Sequence, residues 1–252
     1  MAFTIALAGK GGTGKTTLAA VLLKIITEKK LGSCLAIDAD PNSNLGEVVG
    51  ITSKTSVGVI IDSIAKNPGL VPAGMSKSEF IELEIAHALS ESVNIDLLAM
   101  GRPEGPGCYC YANNLLRDII SKIIKQYKFC VIDNEAGMEH LSRRTTRSAD
   151  FFIVVSDPTP VGMHSAARIR DLVDELEFKF KKIFLIVNKA KSEIKLSEEL
   201  KSKKFDEILN FKFDEAVYNL SLEGKPITEI RQHSNLIEQT EEFLDNHGVR
   251  AN

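Results

Sequence analysis

Apolar positions fall into short runs and helical stripes that alternate along the chain. Phe3 to Ala8 is a run of strand length, and from about Thr16 to Lys29 the residues Leu18, Val21, Leu22, Ile25 and Ile26 recur at helical spacing before Gly32. Cys34 to Ile37 is a second strand run. Between Gly46 and Gly74 the pattern weakens to apolar clusters at Val57 to Ile64 and turns at Asn67-Pro68-Gly69 and Pro72. Ser76-Lys77-Ser78-Glu79 fits a capping box and predicts a helix through about Leu89. Further strand runs lie at Ile95–Met100, Phe129–Asp133, Phe151–Ser156, Ile183–Val187 and Ile208–Phe211. Helices are predicted at about Asn113–Gln126, Gly162–Leu176, Lys191–Lys204 (a charged surface helix) and Asn235–Asn246. The alternation predicts an α/β fold: a doubly wound, mostly parallel sheet flanked by helices, with residues 1–252 as one domain.

The junction of the first strand and first helix carries Gly9-Lys10-Gly11-Gly12-Thr13-Gly14-Lys15-Thr16, which satisfies G-x-x-x-x-G-K-[ST] at every fixed position. Glycines at 9, 11, 12 and 14 open backbone conformations that turn successive N–H groups inward around a phosphate, and the helix N-terminus adds partial positive charge. Gly11, Gly12, Thr13, Gly14, Lys15, Thr16 and Thr17 are thus the candidate cradle for ATP or ADP. Lys15 is placed to reach the β- and γ-phosphates, and the Thr16 hydroxyl to take one Mg²⁺ position.

Two further strand ends add carboxylates. In an open parallel sheet the strand ends beside the phosphate loop form the ligand crevice, so Asp38 and Asp40 face the nucleotide. A carboxylate there can hold the in-line water that hydrolysis requires, although Asp40-Pro41 is also a common turn opener. Asp133 ends an apolar strand run and is placed to hold Mg²⁺ through water.

The strand ending at Met100 delivers Gly101-Arg102-Pro103-Glu104-Gly105-Pro106-Gly107-Cys108-Tyr109-Cys110, which glycine and proline keep out of regular structure. On a helix, side chains two apart diverge by ~200°, whereas in extended backbone they share a face. A loop can therefore aim Cys108 and Cys110 in one direction. Two thiolates are half of a tetrahedral S₄ site for Ni²⁺ or Zn²⁺, and a two-fold dimer would supply the pair twice; the alternative is two buried or incidental cysteines. Cys34 and Cys130 lie inside strand runs and are expected to pack. His140 is either a polar loop residue or an extra ligand.

A formal charge of -3 gives no bulk attraction for nucleic acid or anionic membrane, so neither is expected as a partner. Met1 runs straight into the first strand without a signal pattern, and no apolar stretch approaches ~18 residues. A cytoplasmic location is expected, where thiols stay reduced.

The Lys10-Gly11-Gly12-Thr13-Gly14-Lys15-Thr16 form resembles the deviant Walker A ATPases, which include septum-site and partition ATPases and the nitrogenase iron protein. The resemblance implies a homodimer with ATP at its interface and Lys10 reaching the partner's nucleotide. It further implies that Asp40, in Asp38-Ala39-Asp40-Pro41, orients or deprotonates the attacking water, with Asp38 near Mg²⁺ or the switch. Asp133 takes the Walker B place, Gly137 senses the γ-phosphate, and Asp157-Pro158-Thr159-Pro160 resembles a loop that helps form the dimer face. Asn188 resembles the family's base-reading asparagine, and the Gly224-Lys225-Pro226 turn its second adenine-side loop.

The stretch from Gly101 to Cys110 narrows the resemblance to the CooC-type accessory ATPases of carbon monoxide dehydrogenase. This implies an ATP-hydrolysing metallochaperone that assists nickel insertion into that enzyme or the related acetyl-CoA synthase, with Cys108 and Cys110 as metal ligands. The stretch is also similar to the cluster loop of the nitrogenase iron protein, but the segment after Asp133 lacks that protein's second cluster cysteine. An ATP-dependent reductase with a [4Fe–4S] cluster and a partition or positioning ATPase remain the alternatives.

Overall fold

Strands β1 (Phe3–Gly9), β2 (Cys34–Ala39), β3 (Ile95–Ala99), β4 (Phe129–Asn134), β5 (Ser148–Ser156), β6 (Lys179–Ala190) and β7 (Glu207–Lys212) form one sheet. Their order is β3-β2-β4-β1-β5-β6-β7, and each neighbouring pair is parallel. This computed structural model describes residues 2–40, 44–101, 110–135, 148–230 and 233–250.

Helices cover both faces, which is why the central strands are apolar at successive positions rather than at alternate ones. One face carries α1 (Lys15–Glu28) and α2 (Leu45–Val49). The other carries α3 (Val57–Lys66), α4 (Lys77–Ala88), α5 (Cys110–Ile124), α6 (Pro160–Glu175) and the short α7 (Glu198–Lys201). Two late helices, α8 (Glu215–Leu222) and α9 (Asn235–Asn246), return to the α1 face. Alternation along β1 shows the division: Ile5 and Leu7 enter the α1-side core, Ala6 and Ala8 the opposite one. α1 is buried on nearly every side from Leu18 to Ile26 because α2 and α9 pack over it, and its one long charged residue in that span, Lys24, pairs with Glu28.

The chain goes from β1 past an empty place to β2 and β3, returns to fill that place with β4, and then builds outward on the other side of β1 from β5 to β7. The order reverses at β1, so the crevice at the carboxyl ends of β1, β4 and β5 is where such a sheet takes a ligand.

Several expected elements form as read. The Ser76 capping box makes both of its bonds and opens α4, and α9 spans the predicted Asn235–Asn246. Others differ. The charged helix expected over Lys191–Lys204 shrinks to α7: Ser197 accepts from the Leu200 N–H and so starts the helix there, while Ile194 and Leu196 before it lie against the sheet's core. β6 begins at Lys179, four residues before the apolar run, because it keeps pairing with β5 back to Ser148. α3 forms over the apolar cluster at Val57 to Ile64, capped by Ser56, and α8, which had no predicted counterpart, is capped by Asp214.

α5 starts at Cys110, three residues earlier than expected, so that cysteine opens a helix rather than ending a loop. Cys108, Gly137 and His140 lie outside the described residues. Cys34 and Cys130 are buried free thiols on opposite faces of the sheet, and burial pushes both thiols well above the usual range. Among the described residues no helix is long and apolar enough to cross a membrane.

Candidate nucleotide site

The loop leaves the sheet at Gly9, where only glycine fits: a Cβ there would lie 2.1 Å from the Val155 carbonyl oxygen of β5. Gly14 is left-handed (φ 94) and forms the N-cap of α1 without any side-chain cap. The first N–H groups of α1 therefore have no protein side chain closing them off, and they open toward the loop interior as an anion site.

The loop's carbonyls are held by side-chain donors. Lys10 O accepts from the Thr13 hydroxyl (2.9 Å) and the Lys15 ammonium (3.2 Å). Thr13 O accepts from Asn188 Nδ2 (3.0 Å), and Gly12 O from Lys189 Nζ (2.8 Å). Asn188 Oδ1 in turn accepts from the Lys189 N–H (2.9 Å). The structure thus brings Asn188, expected as a base-reading residue, to the loop and engages its amide with the loop backbone. Lys189 received no role from sequence. Its signal was its position, directly after Asn188 at the same sheet edge as the loop.

Two carboxylates meet beside the loop because β2 and β4 are neighbours with Asp38 opposite Asp133. Asp38 is buried and accepts from the Asp40 N–H (3.2 Å) and the Leu45 N–H (2.8 Å), so it ties together both ends of the turn that carries Asp40. Asp133 is buried and accepts from the Thr16 hydroxyl, while its Oδ1 has no hydrogen-bond partner. Asn134, also missed from sequence, donates to Leu7 O (2.7 Å) and leaves its own buried Oδ1 without a partner. Orphaned buried acceptors next to a hydroxyl are a hard-oxygen set that fits Mg²⁺ and its waters.

Burial raises the Asp38 carboxyl to about 7, against the Leu45 N–H, with the Asp133 charge adding to the rise. Burial likewise raises Asp133 to about 6, opposed by the Thr16 hydroxyl and Lys15. Burial lowers the Lys15 ammonium, while the charges of Asp133 and Asp40 resist the shift. Between the ordinary carboxylate value near 4 and about 7, the folded protein therefore holds protons that the unfolded chain has released, and stability must fall as pH rises through that window. In the absence of nucleotide and Mg²⁺ the loss between pH 5 and pH 8 should be on the order of 4 kcal/mol for the pair. Urea midpoints at pH 5 and pH 8 measure it: a lower midpoint at pH 8 is expected, by a smaller margin in Asp133→Asn, and equal midpoints in the wild type would refute it.

Of the remaining candidates, Gly11, Gly12 and the Lys10 side chain face solvent, Thr13 is fully buried, and Thr16 and Thr17 are half-buried at the start of α1. Pro226 sits at the N-cap of a short turn, Ile227–Glu229, with its ring about where it would contact a Cβ on Gly50 (3.3 Å), so it packs on the end of α2. Of the CxC pair only the Cys110 backbone is described. Among the described residues no three His, Cys, Asp or Glu side chains gather as a metal site.

A phosphate loop springing from the reversal point of a parallel sheet, with paired aspartates at the adjacent strand ends, defines a P-loop nucleotide-binding protein. Comparison with known proteins agrees. A family described as an AAA domain matches residues 3–186, and the chain belongs to it. An uncharacterized ATP-binding protein of Methanocaldococcus jannaschii is 40% identical over 96% of both chains. The carbon monoxide dehydrogenase accessory protein CooC of Rhodospirillum rubrum is 32% identical over 84% of both. Among solved structures, the septum site-determining protein MinD of Pyrococcus horikoshii with Mg-ADP superposes with a TM-score of 0.67 at 20% identity, over 100% of this chain and 99% of that one, which shows the shared fold.

Proposed function

We propose that the protein is an ATP-hydrolysing metallochaperone that works as a homodimer and assists nickel insertion into carbon monoxide dehydrogenase or the related acetyl-CoA synthase. The observation that carries this reading is the Cys108-Tyr109-Cys110 pair in a chain 32% identical to CooC over 84% of both lengths.

In this reading the N–H groups of Gly11 to Thr17 and the Lys15 ammonium hold the phosphates of ATP. Thr16, Asp133 and their waters hold Mg²⁺, with Asp38 close by; the ion neutralises charge on the phosphate oxygens. Asp40, held at its N–H by Asp38, orients the attacking water and takes its proton as ATP becomes ADP and phosphate. Lys10, whose ammonium the loop does not use, reaches the partner's nucleotide, and Gly137 reports the γ-phosphate. Asn188 and Pro226 flank the base. Closing the dimer brings two copies of Cys108 and Cys110 around one Ni²⁺ or Zn²⁺, and hydrolysis releases it to the client.

Anaerobic metal titration with solution mass determination, with and without a slowly hydrolysed ATP analogue, tests this reading. One Ni²⁺ or Zn²⁺ per dimer is expected, lost in Cys108→Ser/Cys110→Ser. An unchanged metal count in the double variant would remove the site. Likeness of fold to MinD favours a positioning ATPase as the second reading, and salt-dependent DNA binding by the wild type would support it.

A further inference from the structure

Three non-glycine residues among those described have left-handed backbone: Lys30 (φ 52), Glu177 (φ 53) and Lys189 (φ 62). The first two have an ordinary cause. Each is the residue just past a helix C-cap, after α1 and α6, where the chain turns out of a helix and the following N–H reaches back to its last turn. Lys189 has no helix before it. It lies within β6, at an irregularity in the pairing with β7 between Val187 and Ala190. A lysine in this conformation inside a strand is strained, and an observed strain of this kind points to a role.

Its contacts supply one. The left-handed turn lets the Lys189 backbone N–H hold Asn188 Oδ1 (2.9 Å), which aims Asn188 Nδ2 at Thr13 O (3.0 Å), while the Lys189 ammonium reaches Gly12 O (2.8 Å). In a trans peptide the carbonyl and the next N–H point in opposite directions. Pinning the carbonyls of Gly12 and Thr13 therefore fixes the direction of the Thr13 N–H, which donates to Lys10 O (3.4 Å), and of the Gly14 N–H. The clasp also fits closely: a Cβ on Gly14 would lie 2.5 Å from Asn188 Nδ2 and 3.7 Å from Lys189 Cε.

We propose that Lys189 is a positioning residue of the phosphate loop, which with Asn188 clasps two successive loop carbonyls and sets the loop's amide groups before nucleotide arrives. The inference rests on the nucleotide-binding reading of the loop. Lys189 is exposed, so its bond competes with water and the effect is moderate. Because the clasp acts on the loop in the ground state and transition state alike, losing it raises KM and leaves kcat nearly unchanged.

The test compares wild type with Lys189→Gly, Lys189→Met and Lys189→Arg by Mg-ADP titration, steady-state ATP hydrolysis and thermal melting. Lys189→Gly removes both the ammonium and the strain. Its nucleotide-free melting temperature should stay within about 2 °C of wild type, relief of strain offsetting glycine's added freedom when unfolded. Its KM and its Kd for Mg-ADP should rise about three- to tenfold. Lys189→Met should weaken binding similarly, and Lys189→Arg, which keeps a charged donor, should restore most of it. Wild-type Kd and KM in the Gly and Met variants would overturn the clasp while leaving the nucleotide site standing. A wild type that binds no Mg-ADP would overturn both.

Discussion

Lys15→Ala is expected to lower kcat/KM for ATP hydrolysis by about 10²–10³-fold, the cost of removing one preorganised charge from a partly dry phosphate site. The side chain is buried at 6% exposure, its ammonium is pinned by Lys10 O, and it stands close enough to Asp133 and Asp40 for both charges to act on it. The fold should survive the change. Burial already opposes the charge on Lys15, so its loss removes a desolvation cost along with the attraction to Asp133. Phosphate release and thermal melting together check the prediction: hydrolysis within tenfold of wild type would show that this lysine does not hold the transferring phosphate.

The largest effect on stability is expected at Phe184→Ala, about 3–5 kcal/mol. Phe184 is fully buried in the middle of β6, and its ring meets Phe151 at 5.0 Å, Phe243 at 4.9 Å and His247 at 4.6 Å. That cluster joins β5, β6 and α9, so a void there is walled by three elements that cannot all move in to fill it. The melting temperature should fall by on the order of 10 °C. Val93→Ala, at a position 94% exposed, is the control and should change stability by less than about 0.5 kcal/mol. A Phe184→Ala loss below about 1 kcal/mol would mean that the site collapses around the missing ring.

What could be read from sequence was what is decided locally. The phosphate loop, the Ser76 capping box and the limits of α9 depend on residues within a few positions of one another, and all form where the pattern put them. Non-local facts were hidden. Nothing in Asp38 or Asp133 says that β4 slips in beside β2 and sets the two carboxylates opposite each other. Nothing in Asn188-Lys189 says that a left-handed residue will turn the pair onto Gly12 and Thr13. The charge along Lys191 to Lys204 reads as a solvated helix, whereas the choice lies with Ser197 as a cap and with Ile194 and Leu196 as core-facing anchors. Cys110 joined α5 because the helix-breaking glycines and prolines stop at Gly107.

The burial of α1 on all sides has a mechanical consequence. β1 stands between β4 and β5, and α1 is wrapped by α2 and α9, so both stems of the phosphate loop are set in the least deformable part of the molecule. The loop is an anvil. Whatever motion a γ-phosphate drives must be taken up outside these two stems, and a partner that is to sense the nucleotide has to touch something other than the loop that grips it.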